Sequence, residues 1–146
     1  MLNTIAEAGS NKQTFFELLG GEQGGTENIR HLVETFYDIM STDPEATPIL
    51  ALHPADLSSS REKLFMFLTG WTGGPQLYTQ RYGHPRLRQR HMPFKIGEAE
   101  RDQWMFCMIK AMQQLKIEES LMQKLAQQLY GVADFMRNDA MPNTAI

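Results

Sequence analysis

The chain has 146 residues, of which 42% are hydrophobic and 21% charged, with a formal net charge of −3 and one cysteine. That length makes one domain large enough for a proper core; the acidic balance speaks against a dedicated nucleic-acid binder, and a single cysteine excludes an intrachain disulfide or a cysteine-rich zinc site. No charged segment leads into an apolar run at the N-terminus, and no stretch approaches ~18 consecutive apolar residues, so a cytoplasmic protein without membrane association is expected.

Residues 1–11 show no clear periodicity. Phe15, Phe16, Leu18 and Leu19 predict a short helix that stops at Gly20-Gly21, and Gly24-Gly25 predicts a second break. From Thr26, a suitable cap, the run Ile29, Leu32, Val33, Phe36, Tyr37, Met40 forms one helical face. Asp43-Pro44 opens a short helical piece ending near Leu52. A helix from about Asp56 to Thr72 carries Leu57, Leu64, Phe65, Leu68 and Trp71, with Met66 and Phe67 widening its apolar face, and Gly73-Gly74-Pro75 ends it. A further helix over roughly 98–116 turns Trp104, Met108, Ala111 and Leu115 inward, with Glu98 and Glu100 at its positive end. The last, from about Glu118 to Arg137, carries Leu121, Leu125, Leu129, Val132 and Met136. The reading is all-α.

Between the helices ending near 72 and starting near 98 the periodicity fades, which in a compact domain usually marks a functional segment. It contains Leu77, Tyr78, Tyr82, Leu87, Met92, Phe94 and Ile96, which favour packing on something, and it lacks any acidic residue between Glu62 and Glu98. Pro85 can open a helical turn and Pro93 forbids its continuation past His91, so a short stiff turn presents that imidazole. A lone loop histidine is a weak signal. It gains weight beside apolar, Met-rich helix faces (the chain has 10 methionines) and the cations Lys63, Arg81, Arg86, Arg88 and Arg90. Imidazole is the usual protein ligand of haem iron in oxygen binders, and cations suit its propionates. The same cations also read as a solvated basic face or a phosphate-binding strip.

The ordered run Gly73-Gly74-Pro75, Tyr78, Gly83-His84-Pro85-Arg86-Leu87-Arg88, Arg90-His91, Pro93-Phe94, Ile96, Glu100-Arg101-Asp102 and Trp104 resembles group II of the truncated (two-over-two) haemoglobins. Phe36-Tyr37, His53-Pro54 and Leu64-Phe65-Met66-Phe67-Leu68 support it, and the likeness extends from about Phe15 to Asn138. It implies a shortened globin fold, a two-over-two helical sandwich around haem, over residues 15–138, with an N-terminal extension (1–14) and a C-terminal tail (139–146). By that resemblance His91 is the proximal iron ligand of a haem b (iron protoporphyrin IX). Lys63, Arg81, His84 and Arg90 lie toward the propionates, and Phe67, Tyr78, Phe94, Ile96 and Met108 toward the porphyrin. Tyr37, His53, Ser60, Leu64 and Trp104 surround the bound gas.

On this resemblance the expected ligands are dioxygen and other diatomic gases, held by Tyr37, Trp104 and His53 as donors worth about 0.5–1.5 kcal/mol each. That favours tight binding over quick release. A haem enzyme, such as a nitric oxide dioxygenase or a peroxidase-like protein, would need an external reductase, because no flavin or nicotinamide domain fits in this length. Cys107 reads as a small buried hydrophobe and His31 as a surface residue.

Overall fold

The computed structural model describes residues 13–138, which contain helices and no strand. In chain order these are α1 (Phe15–Leu18), α2 (Gly21–Thr42), a 3-10 turn (Pro44–Ala46), α3 (Thr47–Leu50), α4 (Ser58–Trp71), α5 (Leu77–Tyr82), α6 (Leu87–His91), α7 (Glu98–Gln114) and α8 (Glu119–Phe135). The expected extension, apart from its last two residues, and the expected tail lie outside the described residues. Thr14 caps α1: its hydroxyl accepts from Glu17 N–H at 3.1 Å while the Glu17 carboxylate accepts from Thr14 N–H at 3.2 Å. No helix among the described residues is long and apolar enough to cross a membrane.

The long helix α2 is the spine. It packs against α4 on one side and α7 on the other, α8 packs on α7, and α5 hangs from α4. The face predicted from its spacing is the buried one: Ile29, Leu32, Val33, Phe36, Tyr37 and Met40 all lie in the core. Each such side chain taken from water contributes about 1.5–3 kcal/mol, which outweighs the weak helix propensity of the β-branched and aromatic members. Met105, Cys107, Met108, Ala111 and Met112 of α7 meet that face.

The glycine pair at 24–25 does not break the helix, and Thr26 is an interior residue of α2 rather than its cap. The reason is non-local. Phe16 lies so close to α2 that a Cβ on Gly25 would stand 2.9 Å from its ring, and one on Gly74 would stand 2.6 Å from it. These glycines serve close packing, not a turn. The helix begins instead after Gly20, whose φ of +129° is open to glycine alone.

The weakly periodic stretch resolves into α5 and α6, joined by a sharp corner. Arg86 takes φ +49°, a left-handed conformation uncommon for a side-chain-bearing residue, and α6 starts after it rather than directly at Pro85. Arg86 N–H donates to His84 Nδ1 at 3.2 Å, which fixes this corner.

Candidate functional site

One side of the site is an aromatic cluster. Phe36, fully buried, touches Tyr37 edge-on at 4.9 Å between ring centroids and Trp104 of α7 at 5.1 Å. Tyr37 in turn meets the His53 ring edge-on at 5.8 Å. Three of the five residues expected around a gas ligand (Tyr37, His53 and Trp104) are thus brought together from α2, the corner after α3, and α7. Ser60 and Leu64 sit on α4; Leu64 packs against the core and Ser60 is half-buried. Burial holds the Tyr37 hydroxyl far above its ordinary pKa of 10.0, opposed only weakly by Arg61, so it stays a protonated donor.

His53 takes a different part from the one expected. Its Nδ1 lies 2.9 Å from the Ile49 carbonyl, and a carbonyl only accepts, so the ring's N–H is spent there. Burial lowers its pKa below 6.5, and the nearby His91 lowers it further, although the Ile49 bond favours the cation. A neutral ring with Nδ1 protonated offers an acceptor at Nε2, not a donor. The Ile49 turn is itself pinned to α7, where Gln103 Oε1 accepts from Ile49 N–H at 2.9 Å.

His91 ends α6 and is half-buried. Its Nδ1–H donates to the Leu87 carbonyl one turn back at 2.6 Å, which fixes the tautomer and leaves the Nε2 lone pair for a ligand bond. Ile96 is buried, Phe94 exposed, and Met108 fully buried in the core.

The cations gather at one rim. Lys63 Nζ lies 5.7 Å and the Arg81 guanidinium 5.4 Å from the Tyr82 ring centre, and Arg90 lies 5.9 Å from that of Tyr78. The two tyrosine rings are 4.9 Å apart. Phe67, Tyr78 and His84 line a cleft of about 180 Å³ together with Met66, Trp71 and Pro85. This cleft is one margin of the site. A larger one, about 360 Å³, lies at the start of α2 between Glu22, Thr26, Arg30 and Phe65 and gathers none of these residues.

Sequence reasoning missed the residues that hold α6 in place. Arg88 Nη1 donates to the carbonyls of Phe135 at 2.6 Å and Arg137 at 2.9 Å, beyond or at the end of α8. Asn138 Nδ2 donates to the His91 carbonyl at 3.0 Å. These contacts span 47 to 49 residues and leave no local pattern to read.

The residues fit a haem. A single imidazole has its outer nitrogen free, and Met66, Phe67, Trp71 and Tyr78 line an apolar cleft with His84 and Pro85, just before α6 in the chain. Lys63, Arg81 and Arg90 form no ion pair with a protein carboxylate among the described residues, whereas Arg30, Arg61, Arg101 and Arg137 all do. The former are therefore available to propionates. Among the described residues no group of three or more His, Cys, Asp or Glu side chains comes together that could hold a bare metal ion.

Comparison with known proteins shows the family. Residues 14–138 match the family model described as bacterial-like globin. The chain is 40% identical to the group 2 truncated hemoglobin YjbI of Bacillus subtilis (strain 168) over 114 residues, 78% of this chain and 84% of that one. Among solved structures it resembles the cold-adapted truncated hemoglobin of Pseudoalteromonas haloplanktis TAC125, with 41% identity, a TM-score of 0.81, and 88% and 100% of the two chains covered. It also resembles the group II 2-on-2 hemoglobin of Agrobacterium tumefaciens, with 41% identity, a TM-score of 0.80, and 88% and 97% covered.

Proposed function

Because this chain belongs to the bacterial-like globins, as a group II truncated haemoglobin and so a haem protein for diatomic gases such as dioxygen, we propose that it binds dioxygen tightly and reversibly at a haem b held by His91. The observation that carries this reading is a lone imidazole whose Nδ1–H is bonded to Leu87 at 2.6 Å, leaving Nε2 for a ligand, in a chain that also gathers Tyr37, Phe36 and Trp104 into one aromatic cluster. The haem, when bound, supplies a ferrous iron with one position open to a gas.

The chain's own groups do the rest. The Leu87 carbonyl orients the His91 ring and holds its proton on Nδ1, leaving Nε2 for the iron. Lys63, Arg81 and Arg90 hold the propionates, while Phe67, Tyr78, His84, Phe94, Ile96 and Met108 surround the porphyrin. The Tyr37 hydroxyl and the Trp104 indole N–H donate to the polarised outer atom of the gas, with Ser60 and Leu64 leaving it room. His53 acts as an acceptor beside Tyr37, setting the direction of that hydroxyl or holding a water when no gas is present. Phe36 keeps the space dry, which strengthens both donors. Turnover of nitric oxide or peroxide would add an external reductase, and no observation favours it over binding.

Dioxygen release rates test this. Tyr37→Phe and Trp104→Phe should each speed release, by roughly three- to tenfold per donor lost, and the double variant by more than either. Unchanged rates in both single variants would overturn the donor roles.

A further inference from the structure

The helix that presents His91 buries none of its residues. A helix of five residues is not stable alone, and this one places no residue in the protein's buried core. Its position is set by polar tethers to the chain just beyond α8. Asn138 makes one of them and adds two bonds to Ile96. Its side-chain Nδ2 donates to the His91 carbonyl at 3.0 Å, its Oδ1 accepts from Ile96 N–H at 3.0 Å, and its own N–H donates to the Ile96 carbonyl at 2.9 Å. One amide therefore bridges both ends of the segment from His91 to Ile96, with Arg88 holding α6 to the same stretch of chain.

We propose that Asn138 is a positioning residue for His91, whose amide bridge to the His91 carbonyl and the Ile96 N–H sets the height and tilt of the imidazole against the haem. The inference rests on the haem reading above. The path is short. Moving the His91 carbonyl moves the last turn of α6, and with it the Leu87 carbonyl that holds Nδ1. Ring orientation then changes with it. The side chain acts through the backbone and touches neither haem nor gas.

The test uses hemin-loaded wild type, Asn138→Ala, Asn138→Asp, and Ile29→Val as a core trim on α2 away from α6. Two readouts are taken: the iron–imidazole stretch of the unliganded ferrous form by resonance Raman, and the rate of hemin transfer to excess apomyoglobin. Asn138→Asp keeps an acceptor for Ile96 N–H but loses the donor to His91, so it should fold like wild type and still shift the stretch. Asn138→Ala should shift it too and speed hemin transfer about tenfold, the ratio that ~1.4 kcal/mol represents. Ile29→Val should lower stability and leave the stretch alone. A wild-type stretch and transfer rate in both Asn138 variants, or an equal shift in Ile29→Val, overturns the proposal. A wild type that takes up no hemin overturns the functional reading, and this proposal with it.

Discussion

The two faces of the site are held by opposite kinds of force. The Tyr37 face is made of core: Phe36 is fully buried, Tyr37 nearly so, and Trp104 packs against Phe36 from another helix. The α6 face, where Leu87 and His91 are only half-buried, is positioned by hydrogen bonds to Asn138 and from Arg88, with His84 fixing the corner before it. The contrast teaches that a pocket wall and a ligand arm have different requirements. A wall must exclude water and keep its shape, which close packing achieves at the cost of adaptability. An arm must place one nitrogen, and directional bonds do that without filling space.

Substitutions should therefore sort by face. The largest stability effect belongs to Phe36→Ala, which empties the centre of the aromatic cluster and should cost about 3–5 kcal/mol in urea unfolding. The refolded protein should keep a normal iron–imidazole stretch. Arg88→Ala should show the reverse, with global stability changed by less than ~1 kcal/mol for so exposed a group and hemin transfer accelerated several-fold. If Arg88→Ala unfolds the protein as readily as Phe36→Ala does, the two faces are not held differently.

A smaller effect is expected from pH. Burial depresses the pKa of His53 in the folded state below its ordinary 6.5, outweighing the Ile49 bond that favours the cation. The unfolded chain then binds the proton more readily. This group's contribution is present above about pH 6.5 and is lost as pH falls through the lower folded value. His53→Phe should flatten that part of the acid limb, measured as urea midpoints at about pH 7.5 and pH 5. An unchanged slope would mean that His53 is solvated.

Much of this was legible in the sequence because it is periodic or local. The buried face of α2 follows from spacing alone, and the turn presenting His91 from prolines on either side of it. Cys107 is fully buried, and its thiol is pushed up to about 11 by that burial, as a small core residue should be. What stayed hidden depends on contacts across the chain. Gly24-Gly25 reads as a break until Phe16 is seen against it. Asn138 falls just past the last expected helix with no pattern to mark it, yet its partners lie 42 and 47 positions away. The His53 N–H goes to a carbonyl four residues back, which turns an expected donor into an acceptor, and no spacing rule carries that information.

The most direct measurement is a hemin titration of the apoprotein followed at the Soret band, for wild type, His91→Gly and His84→Gly, with and without added imidazole. Stoichiometric uptake by wild type and His84→Gly, with a weakened and shifted band in His91→Gly that added imidazole restores, is the expected result. A His91→Gly spectrum identical to that of wild type, or a wild type that stays colourless, would contradict it.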